Sequence, residues 1–159
     1  MYRIGIGHDT HRLVEGTSIL IGGVRIEHHR QLLGHSDADV LLHAVTDALL
    51  GAAGLGDIGE FFPDTDSANK NRNSGEMLRF VWQRIRELGW RIVNLDMIIF
   101  AQQPKLSPHK ETMRNNIAGL LGIDASQIGI KAKTGEKVGI IGREEAVGAE
   151  CVALLRKSV

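Results

Sequence analysis

Ala146–Val147–Gly148–Ala149–Glu150–Cys151–Val152–Ala153–Leu154–Leu155–Arg156 is the stretch that decides the fold. In a β-strand successive side chains point to opposite faces. Val147, Ala149, Cys151, Ala153 and Leu155 then share one face, while Val152 and Leu154 fall on the other. A strand apolar on both sides has to be covered on both sides. Working outward, Ile128–Lys133 and Trp90–Ala101 read as further strands, with a helix from Pro108 to Leu121 between them, ended by Gly122. Glu76–Leu88 is an amphipathic helix stopped by Gly89. Ser36 or Asp37 caps a helix running to about Ala53, and Ser36 with Asp39 resembles a capping box. Ser18–Ile26 folds as a hairpin about Gly22–Gly23, and Arg3–His11 alternates with period two. Leu55–Ser74 reads as a long loop and Thr134–Gly142 as a glycine-punctuated one. This order predicts one α+β domain over residues 1–159, its helices on one sheet face. In a single-layer sheet the second face has to meet another subunit, so the chain is expected to oligomerise.

Composition narrows the partners. Lys plus Arg and Asp plus Glu both number 19, giving zero formal charge, so the broad basic field that drives nucleic-acid binding is missing. Aromatic residues make up only 4%, too few for a base-stacking platform. Any anion must be held locally. The single cysteine, Cys151, excludes an internal disulfide and a cysteine-based zinc cluster. No run of about 18 apolar residues suggests a membrane span, and Met1–Ile6 has no signal-peptide character. The expected compartment is the cytoplasm.

Asp9 and His11, two apart on a strand, project to one side. A carboxylate beside an imidazole is half of a divalent metal site, or else a strand end where the histidine caps a turn. In the following apolar helix, Asp39, His43, Thr46 and Asp47 form a polar stripe free of Lys, Arg, Glu and Gln. Either it faces water or it faces a site. In the second case His43 is the third ligand, and Asp39 and Asp47 orient an imidazole. His35 and Ser36 precede that helix, where free N–H groups favour an anion. Asp57, Asp64 and Asp66 in the long loop can serve turns, and Asp57, followed closely by glycine, also suits a ribose or polyol hydroxyl. Backbone groups of Ala101–Leu106 at a strand end can read a base edge. Thr134 and Glu136 form either a charged turn or a grip on phosphate and a hard cation. Arg143 and Glu150 are a possible pair near the last strand. No Ser-His-Asp or Cys-His arrangement is apparent.

Five motifs in order then carry a resemblance. They are R-I-G-x-G-x-D-x-H at Arg3–His11, L-x-H-S-D-x-D at Leu33–Asp39, H-A-x-T-D-A-L-L-G at His43–Gly51, G-D-I-G-x-x-F-P-D-T-D at Gly56–Asp66 and A-Q-x-P-K at Ala101–Lys105. The chain resembles the 2-C-methyl-D-erythritol 2,4-cyclodiphosphate synthase family from Arg3 to Lys157. The resemblance implies a four-stranded mixed sheet with helices on one face, three chains forming a homotrimeric prism with sheets facing the three-fold axis, and active sites between subunits. It implies a phosphorus–oxygen lyase of non-mevalonate isoprenoid biosynthesis that cyclises 4-diphosphocytidyl-2-C-methyl-D-erythritol 2-phosphate and releases CMP. By motif, Asp9, His11 and His43 would hold Zn²⁺ or a similar ion, and Glu136 a Mg²⁺ or Mn²⁺ bridging the substrate phosphates. His35 and Thr134 would stabilise the transition state. Asp57, Ile58 and Gly59 would face the sugar-like part, under a lid of Phe62, Pro63, Asp64, Thr65 and Asp66. Ala101, Gln102, Gln103, Pro104, Lys105, Leu106 and Ser107 would hold cytidine, with Ser36, Lys133 and Gly135 completing the substrate contacts. Ile140 and Arg143 would lie near an axial channel that in relatives takes an isoprenoid diphosphate. The chain departs from the family at Ala38, where glycine is familiar, at Lys133 and Gly135, where threonines flank Thr134, and at Ile140, where an aromatic is common. A zinc hydrolase and a non-catalytic zinc-stapled trimer are the competing readings.

Overall fold

The computed structural model describes residues 1–157; the last two positions of the expected domain lie outside the described residues. The elements are β1 (Tyr2–Glu15), β2 (Ser18–Ile21), β3 (Val24–Glu27), β4 (Arg30–Leu33), α1 (Val40–Ala53), α2 (Ile58–Phe61), α3 (Ser74–Glu87), β5 (Trp90–Phe100), α4 (Lys110–Leu121), β6 (Ile128–Lys133), α5 (Gly139–Gly142) and β7 (Ala146–Lys157). The main sheet has the order β4-β1-β7-β5-β6. All its pairings are antiparallel except β5 with β6, which α4 connects as a parallel crossover.

The sheet is therefore mixed, as expected, but has five strands rather than four. The extra strand is β4, which pairs Arg30–Leu33 with the far end of β1, Arg12–Glu15. Four residues with two leucines carry too little alternation to announce a strand, and β1 itself continues past His11. The predicted hairpin forms as a separate two-stranded sheet, β2 with β3. The long loop contains α2 and a 3₁₀ turn at Ser67–Asn69.

The core lies between the helices and the sheet face that carries Leu95, Met97, Ile99, Val147, Ala149, Cys151 and Leu155, all buried. On β1 this is the glycine side. A Cβ on Gly7 would lie 1.9 Å from the Ala44 carbonyl oxygen, and one on Gly5 2.1 Å from that of Ala48. Only glycine allows α1 to lie this close against β1. The β1 isoleucines face the other way: Ile4 is 75% and Ile6 69% exposed. Their cross-strand partners are Leu154 and Val152. The result is an open apolar patch on the bare side of the sheet.

The N-cap of α1 is Asp39, not Ser36 or Asp37. Ala38 has a left-handed φ of 60°, which interrupts any helix started at Ser36. The Asp39 carboxylate accepts from Leu42 N at 3.1 Å and from both amides of the hairpin turn, Gly22 N at 2.8 Å and Gly23 N at 2.7 Å. Burial outweighs these donors and pushes its carboxyl up to about 6.

Candidate active site

The Gly5–Gly7 contact sets the site. Asp9 and His11 continue the glycine face of β1, and His43 lies in the first turn of α1. Asp9 Oδ2 stands 2.8 Å from His11 Nε2 and 3.0 Å from His43 Nδ1. The two imidazole nitrogens are 3.3 Å apart. One donor atom from each residue lies within 4.8 Å of the others, an N,N,O set that fits a divalent ion. Burial disfavours the charged form of Asp9, yet hydrogen bonds and charge from both histidines win and hold its carboxyl well below the usual range. Burial also opposes the charged form of His11, but Asp9 and the Leu33 carbonyl raise it.

The surroundings differ from the predicted stripe. Asp39 and Asp47 do not orient an imidazole. Asp39 holds the hairpin turn, and Asp47 accepts from Ile58 N at 2.7 Å, fastening α2 to α1. Thr46 donates to Leu42 O within the helix. The histidine rings are steered by other groups. His11 Nδ1 bonds the Leu33 carbonyl at 2.8 Å. His43 Nε2 lies 3.0 Å from Ser36 Oγ and 2.8 Å from Ser74 Oγ. Ser74 escaped sequence reading because a serine at a helix start looks like ordinary capping.

Beside these ligands is a cleft of about 250 Å³ lined by Asp9, His11, His35, Ser36, His43, Ile58, Gly59, Phe62 and Asp64 among others. His35 Nε2 is buried without a partner. Phe62 is buried, with the Arg72 guanidinium 4.6 Å above its ring and Phe80 edge-on at 5.9 Å. Pro63, Asp64, Thr65 and Asp66 beyond it are exposed, so the expected lid is anchored at Phe62. Asp57 is exposed and caps α2 by accepting from Glu60 N at 3.1 Å.

A second cleft, of about 380 Å³, is lined by Ala101, Gln102, Gln103, Pro104, Lys105, Leu106, Ser107, Lys133 and Thr134. It shares no lining residue with the first. Gly135 and Glu136 follow it; Glu136 N donates to Thr134 Oγ1 at 3.3 Å, and Lys137 N to Gln102 Oε1 at 3.2 Å. Ile140 is exposed on α5. Arg143 pairs with Glu145 at 2.9 Å, not with Glu150, which faces His8 at 3.4 Å. Asp9, Ala149, Ile99 and Ala132 form one row across the sheet, so the metal corner and the second cleft stand at the same sheet end, roughly 15 Å apart by strand spacing.

A family model described as the YgbB family matches residues 2–156. Over 157 residues the chain is 55% identical to the 2-C-methyl-D-erythritol 2,4-cyclodiphosphate synthase of Geobacillus sp. (strain WCH70), covering 99% of each. It superimposes on the bifunctional IspDF of Campylobacter jejuni with TM-score 0.95 and 44% identity, covering 99% of this chain and 43% of that one. For the Plasmodium falciparum IspF CDP complex the values are 0.87 and 37%, with 99% and 97% covered.

Proposed function

Because the chain belongs to the YgbB family, we propose that it cyclises 4-diphosphocytidyl-2-C-methyl-D-erythritol 2-phosphate to 2-C-methyl-D-erythritol 2,4-cyclodiphosphate, releasing CMP. The observation that carries this reading is the convergence of Asp9, His11 and His43 on one point. It lies at the edge of a cleft that His35 lines, and His35 Nε2 is buried without a partner.

In the reaction a 2-phosphate oxygen forms a bond to the β-phosphorus. The bond from that phosphorus to the bridging oxygen breaks, and CMP departs with the electron pair. A phosphate monoester has its second pKa near ~6 and is already anionic at neutral pH, so no general base is required. The residues are needed for position and charge. His35 Nε2 and the Ser36 hydroxyl contact phosphoryl oxygens, and Ile58, Gly59 and the lid exclude water from the sugar-like part. Asp57 binds its hydroxyls. Thr134, with Lys133 and the Gly135 amide, holds the α- and β-phosphates, and the 101–107 cleft holds cytidine. Asp9, His11 and His43 would hold Zn²⁺ or a similar ion, and Glu136 a Mg²⁺ or Mn²⁺. Bound metal neutralises phosphate charge.

The assembly is a homotrimer with sheets facing inward. Two observations support it: the apolar patch around Ile4, Ile6 and Val152 needs cover, and the two clefts do not merge within one chain. The metal corner of one subunit then meets the cytidine cleft of the next. Ile140 and Arg143 would face the axial channel, where an isoprenoid diphosphate would bind. The protein works in the cytoplasm as one domain, residues 1–159.

Incubation with the cytidyl substrate tests the activity: CMP and the cyclic product appear without inorganic phosphate. Phosphate release would favour a zinc hydrolase, but that chemistry needs a free carboxylate base beside the metal. Asp39 and Asp47 are both committed to backbone amides. Light scattering should show three chains per particle.

A further inference from the structure

The chain of hydrogen bonds behind His43 has a direction. Asp37 Oδ2 accepts from the Ser74 backbone N–H at 2.9 Å, and Oδ1 accepts from Asp39 N at 3.2 Å. The Ser74 hydroxyl also bonds Asp37 Oδ1. Asp37 thus acts as an acceptor on both oxygens, and the single hydroxyl proton of Ser74 goes to it. What Ser74 Oγ then offers to His43 Nε2, 2.8 Å away, is a lone pair. The Nε2 atom must keep its proton, so the nitrogen that can give up its proton to a metal ion is Nδ1, which bonds Asp9 Oδ2 at 3.0 Å. Ser74 is fully buried, so water cannot substitute for this contact.

We propose that Ser74, held by Asp37, is a positioning residue that fixes the ring orientation and tautomer of His43 so that Nδ1 is the metal-binding atom. This rests on the reading of Asp9, His11 and His43 as a metal site. Serine here takes the place of the carboxylate or carbonyl that more often orients a ligand histidine, with the carboxylate one step further back. His11 is oriented separately by the Leu33 carbonyl, so the two imidazoles have independent supports. Ser36 Oγ also lies near His43 Nε2. Since Nε2 has only one proton to give, the Ser36 hydroxyl proton stays free for the cleft it lines. The two serines therefore divide the work: one orients the ligand and the other contacts phosphate.

The device also ties the metal corner to the lid. Ser74 ends the segment that begins at Phe62. That segment is fastened again where Asn71 N donates to His35 O at 2.8 Å and Asp37 N to Arg72 O at 3.2 Å.

The test is direct. In ¹⁵N-edited imidazole spectra of the zinc-loaded protein, His43 should show a protonated, exchange-protected Nε2 and a zinc-bound Nδ1. Titration of metal-free Ser74→Ala with zinc should show affinity reduced about 10–100-fold, and Asp37→Asn should move it the same way. Coordination of zinc through His43 Nε2 would overturn the proposal, as would Ser74→Ala binding zinc as tightly as the unsubstituted protein. The wild-type spectrum decides even if a variant fails to fold. If the unsubstituted protein binds no zinc, the metal site itself is refuted and the proposal with it; if it binds zinc and only the variant result fails, the metal site stands alone.

Discussion

The corner where β1 meets α1 and the loops that follow β5 and β6 are built on different terms. At the corner, backbone touches backbone: Gly5 and Gly7 leave no room between strand and helix. The side chains just beyond them, Asp9, His11 and His43, are placed by that contact, and the two imidazoles are oriented by the Leu33 carbonyl and Ser74. At the loops the groups are mostly open. Thr134 and Glu136 are exposed, and their bonds run mainly within the loop and to Gln102. The first region is complete in one chain, and the second offers a surface for something else to finish. Under the proposed function, metal binding belongs to the fold of one chain, whereas grip on the whole substrate belongs to the assembly.

The severest way to break this comparison is Gly7→Ala. The added methyl meets the Ala44 carbonyl, so α1 has to move away from β1. A stability loss on the order of 3 kcal/mol and loss of metal binding are expected from denaturant titration and elemental analysis; a change under 1 kcal/mol, by the same overpacking measure, would show that the contact is not what places the site. His43→Ala acts one level up. It should leave a folded oligomer, empty the metal site and lower turnover by on the order of 10³-fold, several kcal/mol of charge stabilisation. Unchanged metal stoichiometry would remove His43 from the ligand set. Thr134→Ala probes the open region alone. Turnover should fall on the order of 10²-fold while zinc affinity stays at the wild-type value, and a joint loss of both would mean that the regions are not separable.

The smallest effect sharpens the comparison from inside the corner. Ala38 stands at φ 60°, a conformation that glycine adopts at no steric cost. Ala38→Gly should raise stability by about 0.5 kcal/mol, relief of strain being partly offset by the freer unfolded chain. Measurement of the denaturation midpoint checks the sign.

How much of this the sequence disclosed follows the same division. Asp9 and His11 were legible because period two puts them on one face, and His43 because a helix otherwise apolar kept a polar stripe. The double-sided apolarity of the last strand foretold the open patch that β7 shares with Ile4 and Ile6. The same stripe misled for Asp39 and Asp47. Helical periodicity reports which residues share a face, not whether a carboxylate binds an imidazole or a distant amide. Here the amides of Gly22, Gly23 and Ile58 claimed them. Gly5 and Gly7 have no side chains to announce a packing role, though they are the strand's contact surface against α1. Ser74 lies 31 residues from His43, and nothing in local spacing connects the two. The fifth strand was missed because β4 is held by its pairing with β1 rather than by a pattern of its own.

The most direct measurement is X-ray absorption at the zinc edge of the loaded protein, compared with His43→Ala. The account predicts two imidazole nitrogens and a carboxylate oxygen at about 2.0–2.2 Å, with one imidazole lost in the variant. An all-oxygen shell, or a spectrum indifferent to the substitution, would contradict it.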